Sequence, residues 1–216
     1  MGAMFRHGPL VLALTALVAG CVSPSGRHKR PPHIVPPTSE TMKMCVADLK
    51  RLDARYTILP DQNYGGGCSA INAVLLQAVG VPVTNTKAVQ CSVARALALW
   101  VRDVAQPSAK RAFGETITRI ESMGTYSCRR INGAATGKLS EHATANAIDV
   151  SGFILSDGRR ILVETGWTGG DDVERKFLRA LRDGACKRFQ TVLSPDYNAA
   201  HYNHLHFDMG SGPYCR

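Results

Sequence analysis

Two short stretches hold the side chains best suited to chemistry: Ser140-Glu-His-Ala-Thr-Ala-Asn-Ala-Ile-Asp149 and His201-Tyr-Asn-His-Leu-His-Phe-Asp208. Of the 7 histidines, His7, His28 and His33 lie in the first 40 residues, and His142, His201, His204 and His206 all fall in these stretches. Imidazole nitrogens and carboxylate oxygens are ligands that Zn²⁺ accepts, and three protein ligands with a fourth position for water describe a catalytic site. Water bound there becomes acidic enough to supply hydroxide near neutral pH. His204 and His206 are two residues apart, so on a strand both point to one face and can share a metal, with Asp208 next along it. The alternation of Ala145, Ala147 and Asp149 against Asn146, Ile148 and Val150 puts Asp149 on a strand too, with His142 entering from the preceding loop. Singly these signals are moderate: a His with an Asp seven residues on arises in about one such sequence in three. Together, holding every histidine after residue 40, they point to a metal centre.

Such a centre needs a sheet to carry it and helices to back the sheet. Met42, Cys45, Val46, Leu49 and Leu52 recur at helical spacing. A second helix is expected over 91–105, stopping near Pro107, and a third over about 171–188, acidic at its start and basic at its end, unless Gly184 ends it sooner. Strands are expected over 56–59, 115–122, 147–155, 160–164 and 204–209, with Ser156-Asp-Gly158 as a hairpin turn. Gly65-Gly-Gly67 reads as a structural turn, since no Lys follows to make a phosphate loop. Helices followed by mainly antiparallel strands predict an α+β fold, its sheet bearing the zinc site and its helices flanking it.

The chain has 216 residues, 44% hydrophobic and 20% charged, with 20 Gly and 11 Pro, which suits one globular domain and excludes coiled coil, collagen and full disorder. A net charge of +9 with 6% aromatics fits an anionic surface better than stacked bases, so no nucleic acid is expected. Arg6 precedes the apolar run Leu10 to Gly20, too short to span a bilayer comfortably, which reads as an export signal over 1–20. Val18-Ala-Gly-Cys21 resembles the bacterial lipobox, predicting cleavage before Cys21 and its lipidation; an ordinary signal peptide is the alternative. Residues 21–40, rich in Pro and basic groups, read as a linker, and 41–216 as the folded domain. The expected location is periplasmic, anchored by lipid to a bacterial membrane, the outer one. In an exported domain Cys45, Cys68, Cys91, Cys128, Cys186 and Cys215 are read as disulfides. Fifteen pairings are open, though Cys186 with Cys215 would pin the C-terminus. Oligomeric state stays open.

His142-x₆-Asp149 followed by His204-x-His206 resembles the metal signature of lysostaphin-type enzymes, D-Ala-D-Ala metallopeptidases and the hedgehog domain. Cys91-Ser-Val-Ala94, Tyr126-Ser-Cys-Arg129, Ser140 to Val150, Pro195-Asp-Tyr-Asn198 and the terminal Cys215 resemble the bacterial extensin-like C-terminal family, over roughly 41–216. The resemblance implies that His142, Asp149 and His206 bind zinc, and that His204 is a catalytic histidine that orients or deprotonates water and stabilises the oxyanion. His201 is similar in position to a further active-site histidine of murein endopeptidases. Arg129 is similar to an Arg that binds substrate carboxylate in D-Ala-D-Ala peptidases; an ordinary surface Arg is the alternative. Ser140 would bond substrate or a ligand, or else cap a loop. Where some D-Ala-D-Ala peptidases place a general-base Glu, this chain has Asn203, and an amide takes no proton from water at neutral pH. The base is then His204, with Glu141, expected to face solvent, and Glu164 as reserves. The implied activity is zinc-dependent hydrolysis of an amide in peptidoglycan peptides. The alternative is a wall-binding or tethering module whose zinc is not catalytic.

Overall fold

Ser39 opens the first helix: its hydroxyl accepts the Met42 N–H (3.1 Å), so helix α1 (Glu40–Arg51) begins two residues before its apolar periodicity does. The computed structural model describes residues 1–2 and 39–216. The expected export signal beyond its first two residues, Cys21, and the linker up to residue 38 lie outside the described residues. Residues 39–216 fall in one compact unit.

Strand β1 (Ala54–Ile58) follows, then a ribbon of β2 (Gln62–Gly65) and β3 (Cys68–Ala70) that turns through Gly65, Gly66 and Gly67. All three glycines have positive φ, which an L side chain rarely adopts, so this run is the structural turn expected. Strand β4 (Ala73–Val79) lies between β1 and β5 (Ala88–Gln90) in an antiparallel three-stranded sheet. Neither the ribbon nor β4 and β5 is among the expected elements.

Helix α2 (Cys91–Trp100) does not stop at Pro107. It passes through a π turn (Val101–Ala105) into α3 (Gln106–Phe113), which ends at Gly114 in the left-handed region. The wider π turn resets the backbone, so Pro107 falls in the first turn of a restarted helix, where its missing N–H is not needed.

The main sheet is built from β6 (Ile117–Gly124), β7 (Ala147–Leu155) and β8 (Arg160–Leu162), the last joined to β7 by the expected hairpin. The strand expected to reach Glu164 ends at Leu162, because Val163–Gly166 coils into a short helix, α4. Asp171 caps α5 (Asp172–Ala185) by accepting the Glu174 N–H (2.8 Å). Gly184 lies inside α5 and does not end it; a Cβ there would collide with Val104, so the glycine allows α5 to approach the π turn. Then come β9 (Thr191–Leu193), β10 (Leu205–Asp208) and β11 (Tyr214–Cys215), giving the order β11-β9-β10-β7-β6 with β8 beside β7. All pairs in this sheet are antiparallel except β9 with β11. The α+β expectation therefore holds, with antiparallel sheets and helices packed on them.

The helices grip the sheet through aromatic side chains. Trp100 is fully buried between Phe153 of β7 and Phe207 of β10, with ring centroids 6.3 and 5.2 Å away, and its indole N–H donates to the Leu181 carbonyl (3.0 Å). Disulfides Cys45–Cys91, Cys68–Cys128 and Cys186–Cys215 join α1 to α2, β3 to the loop after β6, and the end of α5 to the C-terminus. Each closes a loop long enough to destabilise the unfolded chain by about 4 kcal/mol. Among the described residues no helix is long and apolar enough to cross a membrane.

Candidate metal centre

The register between β7 and β10 sets His206 directly opposite Asp149. Their neighbours, Phe207 opposite Ile148 and Leu205 opposite Val150, face the other way and are fully buried in the core. A slip of one residue would turn Phe207 and Ile148 outward, so core packing on one face enforces the polar pair on the other. His142 arrives from the 3-10 turn Glu141–Thr144, which leaves at Ala145 with φ 57° before entering β7. Ser140 caps that turn by accepting the His142 N–H (3.4 Å), which is the structural role foreseen as its alternative.

His142 Nε2 lies 3.1 Å from Asp149 Oδ2, His206 Nδ1 lies 2.8 Å from Asp149 Oδ1, and the two ring nitrogens are 3.2 Å apart. All three residues are buried. Tetrahedral ligands with bonds of 2.0–2.1 Å stand about 3.3 Å from one another, so these atoms need to part by only a few tenths of an ångström to clasp one ion. The outer ring nitrogens support the same geometry. His142 Nδ1–H donates to the Thr125 carbonyl (3.1 Å) and His206 Nε2–H to the Asp208 carboxylate (2.9 Å). Both partners only accept, so each imidazole keeps its proton outside and turns a lone pair inward. Two lone pairs and a carboxylate facing one another repel unless a cation or a proton lies among them. The group can hold a metal ion.

The ion-free electrostatics agree. Burial opposes charge on His206, but the Asp149 and Asp208 carboxylates outweigh it and push its pKa up to about 9. Burial alone would raise Asp149, yet the hydrogen bonds of His142 and His206 hold its carboxyl far below the usual range. A proton on His206 thus takes the place of a cation.

His204 sits one residue before β10, not within it, yet still faces the centre with Nε2 3.5 Å from Asp149 Oδ1. It is outside the trio, and Asp208 stands behind His206, on the ring nitrogen that faces away from the trio. His201 comes from the 3-10 turn Ala199–His201, its ring 5.0 Å from that of His204. Each is fixed by a carboxamide: His204 Nδ1–H donates to Asn203 Oδ1 (2.9 Å) and His201 Nδ1–H to Asn198 Oδ1 (2.8 Å). Burial lowers the His204 pKa against the pull of Asp149. Burial, with the neighbouring histidines adding to it, takes His201 down to about 4. Both are neutral at neutral pH and free to accept a proton at Nε2.

Residues 43–216, which carry nearly all of the described fold, match the family described as extensin-like protein C-terminus. The chain belongs to this family. No curated protein and no solved structure matches it.

In this extensin-like domain two clefts meet at the centre. The larger, about 710 Å³, reaches past His206, Ser140, Lys138, Tyr197 and Tyr214. The smaller, about 430 Å³, reaches past Asp149, Met123, Tyr126, Tyr202 and Asn203. His142, His204 and half-buried Arg129 border both. A separate cavity of about 500 Å³ beside α1 and α2 touches none of these groups. Glu141 is half-buried, not solvent-facing as expected, because its carboxylate accepts the Asn146 amide (2.7 Å). Glu164 is exposed on α4 and lines neither cleft. The contributions of the Thr125 carbonyl and of Asn198 were absent from the sequence reading. A backbone oxygen has no sequence signal, and Asn198 stands out only as the end of the Pro195-Asp-Tyr-Asn198 resemblance, which assigns it no contact with His201.

Proposed function

We propose that this domain is a zinc-dependent peptidoglycan hydrolase related to the lysostaphin and D-Ala-D-Ala metallopeptidases. The observation that supports it best is the convergence of His142 Nε2, Asp149 and His206 Nδ1, with neutral His204 beside them. Two imidazoles and one carboxylate are a donor set that suits zinc and leaves a position open. Zinc held there would polarise the scissile carbonyl and acidify water.

The chain's own residues would do the rest. His204 Nε2 takes the proton released from water and passes it to the leaving amine. Asn203, the departure from the D-Ala-D-Ala pattern, keeps that nitrogen unprotonated by accepting Nδ1–H on the far side. His201, held likewise, presents an Nε2 lone pair that accepts a hydrogen bond from water or from the leaving amine, and Arg129 at the meeting of the clefts pairs with a substrate carboxylate. Ser140 shapes the entry of His142. Lipid on Cys21 would keep the domain in the periplasm at the outer membrane, and the +9 net charge would favour anionic wall polymer.

The test is digestion of purified sacculi by zinc-loaded protein, with products read by mass. New peptide fragments that vanish with chelator and in His204→Ala support the enzyme. Asn203 also favours a second reading, a wall-binding module with a non-catalytic metal. That reading expects stoichiometric zinc and sacculus binding without fragments.

A further inference from the structure

The two clefts are not separate features. His142, His204, Arg129 and Ala200 border both, and the ligand trio is divided between them, with His206 on the larger lobe and Asp149 on the smaller. The metal seat therefore lies between two adjoining clefts, with space on either side of it. Each lobe falls in the range of about 300–1,000 Å³ typical of small-ligand sites, so each has room for more than a single small residue.

Large apolar side chains also stand exposed along both lobes. Ile131, Tyr197 and Tyr214 do so on the larger, and Met123 and Tyr202 on the smaller, each 41–55% exposed. Apolar groups left in water at both ends of a polar centre mark contact surface for a ligand that continues past it in both directions. A site that trims a terminal residue needs such surface on one side only. Arg129 borders the passage rather than standing at either outer end.

We infer that the groove holds peptide on both sides of the metal seat, so that the substrate is an internal amide of crosslinked wall peptides and not a stem's terminal residue. This rests on the hydrolase reading above for the cleavage itself, though not for the two-sided binding.

The experiment compares two soluble peptides: two stems joined through a D-Ala to diaminopimelate amide, and a single stem ending in D-Ala-D-Ala. Zinc-loaded protein is to be assayed for cleavage by mass and for binding by calorimetry. Tyr202→Ala and Tyr214→Ala, one from each lobe, are assayed alongside, with unchanged zinc content as the check on folding. The joined stems should be cut and the single stem cut at least about a hundredfold more slowly. Each Tyr variant should lose about tenfold in kcat/KM on the joined stems. Trimming of the single stem as fast as the joined pair overturns the inference, as does an effect confined to one Tyr variant. If neither peptide is cut, the hydrolase reading falls alone when the joined stems still bind more tightly and both variants erase the difference. Equal binding of the two peptides then overturns the two-sided groove as well.

Discussion

Two walls of the centre hold histidines a few ångströms apart in opposite states. On the sheet wall, His206 lies between the carboxylates of Asp149 and Asp208, and its ion-free pKa is about 9. On the loop wall, His201 is held by the amide of Asn198, and burial takes its pKa to about 4. The ring is the same and both are buried; the charge of the partner decides. A carboxylate partner strengthens an imidazole as a ligand for a cation, whereas a carboxamide fixes the tautomer without adding charge. The sheet wall can thus hold an ion, and on the hydrolase proposal the loop wall would handle protons.

The strongest way to break this contrast is Asp149→Ala, which removes the only anion inside the ligand trio. It is expected to abolish stoichiometric metal binding, measured by elemental analysis after gel filtration, while far-UV circular dichroism stays unchanged. Full metal content in the variant would refute the assigned trio. A large effect should also follow pH. In ion-free protein His206 keeps its proton below about 9, and an ion must displace it. Metal affinity is therefore expected to rise about tenfold per pH unit, or about a hundredfold from pH 6 to 8. Calorimetry in buffers of different ionisation enthalpy should register about one proton released per ion at pH 7.5. Release of none would mean that His206 is not a ligand.

Asp208→Asn acts one step out. The amide can still accept the His206 Nε2–H but no longer adds charge, so metal affinity should fall about 10–100-fold. The His206 pKa of the ion-free variant should drop below that of the parent, as NMR titration would show. An unchanged affinity would place the whole effect of the sheet wall in Asp149.

The contrast between the walls was only half legible in the sequence. His142, Asp149 and His206 stood out because metal ligands announce themselves by residue type and spacing, and strand alternation placed Asp149. The partners did not. The Thr125 carbonyl is backbone, and Asp208 was read as a further group on the ligand face because period 2 along a strand says nothing of which atom lies behind which ring. Elements followed the same division. Helices with capped, amphipathic starts and the hairpin at Ser156-Asp157-Gly158 were readable. The apolar run of β4 offered no alternation, and Pro107 concealed a helix that only a π turn could continue. Of the disulfides, Cys186–Cys215 was suggested by chain closure, while the other two depend on which helix and ribbon meet.

The smallest and sharpest prediction separates the walls by mutating the loop side. Asn203→Ala deletes the acceptor of the His204 Nδ1–H and leaves the ligand trio intact. The ring is then free to flip or to carry its proton on Nε2, so a fraction of molecules presents no lone pair to water. Cleavage of sacculi should slow by about tenfold in kcat, with KM and metal affinity within about twofold of the parent. Asn203→Asp restores the acceptor but adds charge, which favours the protonated ring and should move the acidic limb of the pH–rate profile upward. Rate recovery at high pH in the Asp variant, with none in the Ala variant, identifies tautomer control as the role of Asn203. A parallel loss of metal in either variant would show instead that the two walls are not separable.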